Sequence, residues 1–128
     1  MATYSSTQFT NSLKAFPSAG LGAMNLYFEV SITAAAANLD AFNFGYVPKG
    51  FRLLGATLES TDIDTNGTPT VTLNIGDSGD ADRIFAASTV GQAATLSSAI
   101  ATTGHGYLYT EDTIITGAIP TGPATGAA

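Results

Sequence analysis

Apolar and polar residues alternate in several short stretches of this chain, each closed by Gly, Pro, Asn or Asp. The clearest stretch leads into the middle of the sequence. Val71, Leu73 and Ile75 fall on one side and Thr70, Thr72 and Asn74 on the other, the period of two expected of a half-buried strand. Gly76-Asp77-Ser78-Gly79-Asp80 then interrupts with residues that suit tight turns. Ile84 and Phe85 resume the apolar signal. Residues 68–88 are predicted to form a hairpin or strand–corner–strand unit, with Asp77, Asp80, Asp82 and Arg83 gathered at the corner.

The same period recurs on both sides. In 27–33, Phe28, Val30 and Ile32 oppose Tyr27, Glu29, Ser31 and Thr33, which predicts a strand. The alanines 34–37 are too few to nucleate a helix and suit a close-packed corner. In 41–46, Phe42, Phe44 and Tyr46 share a face, a core signal. Val47-Pro48-Lys49-Gly50 reads as a turn, and 51–60 as a strand with Leu54, Ala56 and Leu58 alternating. Asp62 to Gly67 is polar and ends in Asn-Gly, a strong hairpin signal. Residues 90–103 suit either one helical turn or a loop with a short strand. Tyr107 and Tyr109 mark a short strand, and Ile114 and Ile115 open a last apolar element.

The ends lack this alternation. Residues 1–25 read as an N-terminal arm. Phe9, Leu13 and Phe16 are spaced for a short helical turn that Pro17, Gly20 and Gly22 would end. Such an arm packs over its own body or reaches a neighbouring subunit. Residues 117–128, GAIPTGPATGAA, read as a Gly/Pro/Thr/Ala tail with too little bulk for a core. Short strands at roughly ten-residue spacing between turns predict an all-β fold, a small β-sandwich or jelly-roll-like barrel over 26–116 with extended N- and C-terminal arms.

Composition narrows the function. The chain has 128 residues, suited to one domain. Only 11% are charged, less than half the usual share, so Thr, Ser, Asn, Gly and Ala must form much of the surface. Such a surface is cheap to desolvate against another protein. The net charge is −6, and Lys14, Lys49, Arg52 and Arg83 are scattered. Binding a phosphate backbone requires clustered cations, so no nucleic-acid partner is expected. The absence of cysteine excludes a disulfide framework and thiolate metal sites. No stretch approaches the roughly twenty apolar residues of a spanning helix, so no membrane partner is expected. The first residues lack the basic and apolar regions of a signal peptide, which points to synthesis in the cytoplasm.

Catalytic machinery is not legible. The single histidine, His105, stands between Gly104 and Gly106, a poor place for a preorganised base. Asp80/Asp82 and Glu111/Asp112 are sequence neighbours, which suits turns better than the two sides of a catalytic cleft. No Rossmann or P-loop glycine pattern occurs. No cofactor and no enzyme activity are expected. Asp62-x-Asp64-x-Asn66-Gly67 matches the first half of an EF-hand loop, but Leu73 stands where the bidentate glutamate belongs and a strand follows in place of a helix. Asp62, Asp64 and Asn66 remain candidates for a looser calcium site, against a polar turn held by local side-chain hydrogen bonds.

The proline–glycine turn at 47–50, the acidic turn at 62–67, TPTVTL at 68–73, IGDSGDADRI at 75–84, the tyrosine strand and TEDT at 110–113 together resemble small virion structural proteins of tailed bacteriophages. The resemblance spans about residues 47–118. It implies a β-sandwich that decorates or cements the capsid, without enzyme activity. It also implies contacts with the major capsid protein and with copies of itself, a trimer favoured, and a place on the capsid surface of the virion. The competing readings are a phage tail, fibre or baseplate component, and a carbohydrate- or calcium-binding β-sandwich module.

Overall fold

The computed structural model describes residues 1–10 and 25–127. Its elements are β1 (Thr3–Ser5), α1 (Thr7–Thr10), β2 (Ala41–Val47), β3 (Leu58–Glu59), β4 (Thr72–Gly76), β5 (Phe85–Ser88), β6 (Leu96–Ser97) and β7 (Thr113–Thr121), with a 3-10 turn at Val90–Gln92. The fold is all-β. One sheet has the order β1-β2-β7-β4-β5, with β1 parallel to β2 and the rest antiparallel; β3 and β6 form a second, two-stranded sheet.

The apolar side of the larger sheet faces a second layer. Phe42, Ile63, Val71, Leu73, Val90 and Ile119 form one buried cluster, and Val47, Ile75, Ile84, Phe85, Tyr109 and Ile115 another. Leu58 of β3 and Phe44 of β2 pack against both. Besides β3 and β6, the second layer holds a ladder in which Leu53 N–H donates to Tyr107 O and Tyr109 N–H to Phe51 O, each at 2.8 Å. Residues 25–33 also belong to it: Leu26, Val30 and Ile32 are half-buried against the clusters.

The 68–88 unit forms as a strand, a corner and a strand. Val71, Leu73 and Ile75 are buried, and β4 pairs with β5. At the corner the chain folds back so closely that a Cβ on Gly76 would collide with the Asp80 carbonyl, so only glycine fits.

Several expectations are corrected. Residues 27–33 keep the predicted alternation of burial but join no ladder among the described residues. A bulge between Asn43 and Gly45 breaks the shared face of 41–46; Val47 points inward and Tyr46 instead stacks on Phe9 at 5.9 Å. In 51–60 the strand reduces to β3, and Leu54 is 74% exposed while Leu53 packs inward; the alternation changes phase at Leu54–Gly55, both exposed. Asn66-Gly67 closes no hairpin, because β3 and β4 belong to different sheets and 60–71 crosses between the layers. Residues 90–103 hold both the 3-10 turn and the short β6.

The largest correction concerns the ends. Residues 117–121 are not a tail but the second half of β7, which lies between β2 and β4 at the centre of the larger sheet. Ile119 is 0% exposed. Pro120, which has no N–H to give a ladder, falls where the β4 register shifts between Thr72↔Thr121 and Asn74↔Ala118, so its missing donor is not required. At the other end, β1 pairs with β2, and Ser6 caps α1 by accepting the Phe9 N–H at 3.0 Å. Residues 1–10 are therefore docked on their own sheet. The expected helical positions Leu13 and Phe16, and the breakers Pro17, Gly20 and Gly22, lie outside the described residues.

A central β7 makes the last twelve residues essential to folding. Ile119→Ala should cost about 2–5 kcal/mol in urea unfolding followed by circular dichroism. Deleting 117–128 should abolish the cooperative transition, where loss of a mere tail would leave it intact.

Candidate functional site

Three places concentrate polar groups, and each begins from an aspartate. Asp64 is 1% exposed. One carboxylate oxygen accepts the N–H groups of Thr70 (2.7 Å), Val71 (3.1 Å) and Ala124 (2.9 Å); the other accepts Thr125 (2.9 Å) and Asn66 (3.4 Å). The anion is thus neutralised by backbone dipoles and needs no cation. Burial by itself would raise its pKa. The N–H donors from Thr125, Thr70, Ala124 and Val71 more than reverse this and hold the carboxyl well below the usual range.

This arrangement decides how the calcium candidates are used. Asp62 accepts the Asp64 N–H at 3.1 Å, and Asn66 accepts the Thr68 N–H at 2.8 Å through its side-chain oxygen. These are local turns of the Asx type. The Asp64 oxygens face backbone donors. Among the described residues, no group of three or more His, Asp or Glu side chains is placed to hold a metal ion.

Asp40, which sequence reasoning missed, does for the N-terminus what Asp64 does for the C-terminus. It is buried; one oxygen accepts Ala2 N–H at 2.7 Å and the other Ala37 N–H at 3.0 Å. The signal available was Asn38-Leu39-Asp40 after the alanine run. Leu39 adopts φ 66°, a turn conformation that an Asp side chain is suited to close.

At the corner, Arg83 and Asp77 meet while Asp80 and Asp82 do not join them. Arg83 Nε donates to Asp77 at 2.6 Å and Nη2 to its other oxygen at 3.2 Å; the side chains are 13% and 6% exposed. Asp77 also accepts the N–H groups of Gly79 and Asp80. Burial pushes the Asp77 carboxyl up, but the Arg83 guanidinium and these amides outweigh it and hold the pKa below the usual range. The Arg83 guanidinium carbon lies 3.7 Å from the centre of the Tyr107 ring, and Tyr107 meets Tyr109 edge-on at 5.0 Å. Tyr109 is pushed up to about 12 by burial and the nearby Asp77 charge, and its hydroxyl has no hydrogen-bond partner among the described residues. Asp80 and Asp82 face each other, and the hydrogen bond to Asp80 raises the Asp82 pKa.

The remaining candidates are dispersed. His105 is exposed in the turn at 102–106. Asp112 accepts the Lys49 N–H at 3.0 Å and ties the 48–50 turn to the start of β7. These polar groups therefore fasten chain segments to one another. The fold and these contacts define a small two-layer β protein.

The comparisons with known proteins agree. No family model matches the chain, and no curated protein matches it. Among solved structures, a chain of the cyanophage Pam1 capsid asymmetric unit is 39% identical over 88% of this chain and 89% of that one, with a TM-score of 0.62. A chain of the capsid of Ralstonia phage GP4 is 29% identical over 99% and 90%, with a TM-score of 0.72. The protein belongs to this family of small phage virion structural proteins.

Asp64→Asn should lower the melting temperature by roughly 10 °C or more, because the new amide nitrogen faces N–H donors. The folded pKa is depressed, so the stabilisation is present above the unfolded value of ~3.9 and is lost as the pH falls through the folded one. The variant should then show a shallower loss of stability below pH ~4 than the parent. A chelator should leave the parent unchanged. Arg83→Ala should cost about 3 kcal/mol, well beyond a surface pair, because it strands the buried Asp77 charge. Arg83→Lys should rescue only part, since a single ammonium cannot reproduce the two-point contact. Chemical denaturation measures both.

Proposed function

We propose that the protein is a non-enzymatic structural component of a phage head that decorates or cements the capsid. In this reading it sits on the capsid surface of the virion, after synthesis in the host cytoplasm. It contacts the major capsid protein and copies of itself, with a trimer favoured. The observation that carries the reading is the 39% identity, over nearly the whole of both chains, to a component of a phage capsid.

The molecule's own physics supports it. Both chain ends are fastened by buried aspartates, so binding does not have to order them first. The low charge reduces the cost of drying a surface against a partner. A particle repeats each contact many times, so individually modest contacts add through effective concentration. Reaction chemistry has no part in such a role.

Imaging of intact particles together with quantitative mass spectrometry tests it. The expected result is hundreds of copies per particle, arranged on the outer capsid surface, and shells lacking the protein that break at lower temperature or lower osmotic stress. Tens of copies or fewer, located on the tail, would replace this reading with a tail, fibre or baseplate role.

A further inference from the structure

Among the described residues the second layer is open at both flanks, and the two openings differ. One flank is the segment 25–33. The ring of Phe28 packs so tightly on Gly45 of β2 that a Cβ there would collide with it, and Val30 and Ile32 pack against the cluster around Phe42. The segment therefore lies over the β2 side of the larger sheet. Its residues alternate strictly between half-buried and exposed, as in a strand. Yet no main-chain group of residues 26–35 bonds to another main-chain group among the described residues, and only Tyr27 O receives a side chain, Gln8 at 3.4 Å. Nor is this edge protected. Glu29 is its one charge, it has no proline, and Tyr27, 73% exposed, stands outward beside Ser31 and Thr33.

The opposite flank lies over β5, the last strand of the larger sheet. There β6, paired on one side only, borders a groove of about 410 Å³ between itself and β5. Small residues, among them Ala86, Ala87, Ser88 and Ala99, line this groove. Leu96 of β6 is 63% exposed and sits opposite Glu59 of β3 on the outer side of the layer.

We infer that the chain associates head to tail with a second copy of itself, the free edge of residues 25–33 in one copy pairing with the open β6 edge of the next. A strand edge is satisfied by another strand edge, and this chain carries one on each flank of the same layer. The β3–β6 sheet of each copy then gains a strand from its neighbour. Like-with-like pairing would leave the β6 flank open, whereas the head-to-tail contact uses both. A heterologous contact of this kind closes into a ring when the rotation between copies permits. Exposed Tyr27 of one copy is brought towards Leu96 of the next, which covers two large side chains that otherwise face water. The inference deepens the capsid reading by naming the self-contact. It is tested without any capsid, so either can fail alone.

The protein has no cysteine, so introduced pairs report directly. Two double variants sample neighbouring registers: Ser31→Cys with Leu96→Cys, and Glu29→Cys with Leu96→Cys. All changed side chains are exposed, so folding should be unaffected. Mild oxidation of the purified full chain should give disulfide-linked oligomers with at least one double variant and monomer with each single variant. Adding Thr33→Pro, which removes one edge donor and obstructs pairing, should reduce the cross-linked product of either double variant at least about tenfold with the melting temperature nearly unchanged. Cross-linking by Ser31→Cys alone would overturn the inference in favour of twofold self-pairing. A monomer that cross-links with neither pair at millimolar concentration would overturn it outright. Capsid binding by uncross-linked monomer would leave the capsid reading standing while this one falls.

Discussion

The structure depends on the insertion of the chain's last strand into the middle of its main sheet. β7 pairs with β2 on one side and β4 on the other, so within the larger sheet the β1–β2 pair and the β4–β5 pair meet only through it. Ile115 contributes to one buried cluster and Ile119 to the other. Removing β7 would leave two unconnected edges and two half-open cores. Because these pairings join residues far apart in sequence, loop closure must precede most of the stabilising contacts, which favours slow and cooperative folding.

A second constraint follows from the small number of charges. Few cations are available, and the protein neutralises its buried anions with backbone N–H groups. Asp64 gathers the 64–71 loop and Ala124–Thr125 around one carboxylate; Asp40 holds Ala2 against the Ala37 turn. Each is a buried, hydrogen-bonded carboxyl that fixes a chain end next to the core. The ion pair Asp77–Arg83 is used in the same way, to close the corner after β4. Tethering both ends limits fraying, where small β domains usually begin to open.

The two layers contrast in how fully they are paired. In the larger sheet, β2, β7 and β4 satisfy their ladders on both sides, apart from bulges. The second layer is assembled from two-residue strands, a short ladder at 51–53 and 107–109, and a strand-like segment with no main-chain partner among the described residues. Its side chains are seated but its backbone is not. That asymmetry separates the surface that builds the monomer from the surface suited to meet other chains, and it fits a protein whose relatives occur within phage capsids.

Period-two alternation and punctuation by Gly, Pro, Asn and Asp were enough to read an all-β chain, the strand at Val71–Ile75, the corner at 76–80 and the strand at 41–46. Those features are local: a pleat repeats every two residues, and a turn needs particular residues at particular places. The short phage-like motifs also carried the family. What the tertiary structure decided was pairing. The alternation in 27–33 set which side chains face the core, but a strand needs a partner, and none lies beside it among the described residues. The small residues of 117–121 looked unable to hold a core, yet a strand buried on both edges needs little bulk of its own when its neighbours supply it. Asp64 had the spacing of a calcium ligand. Its partners include the backbone amides of Ala124 and Thr125, about sixty residues away in sequence, which no local pattern can announce. Residue types set the period and the turns, whereas long-range contacts chose which edge, which layer and which donor each residue would meet.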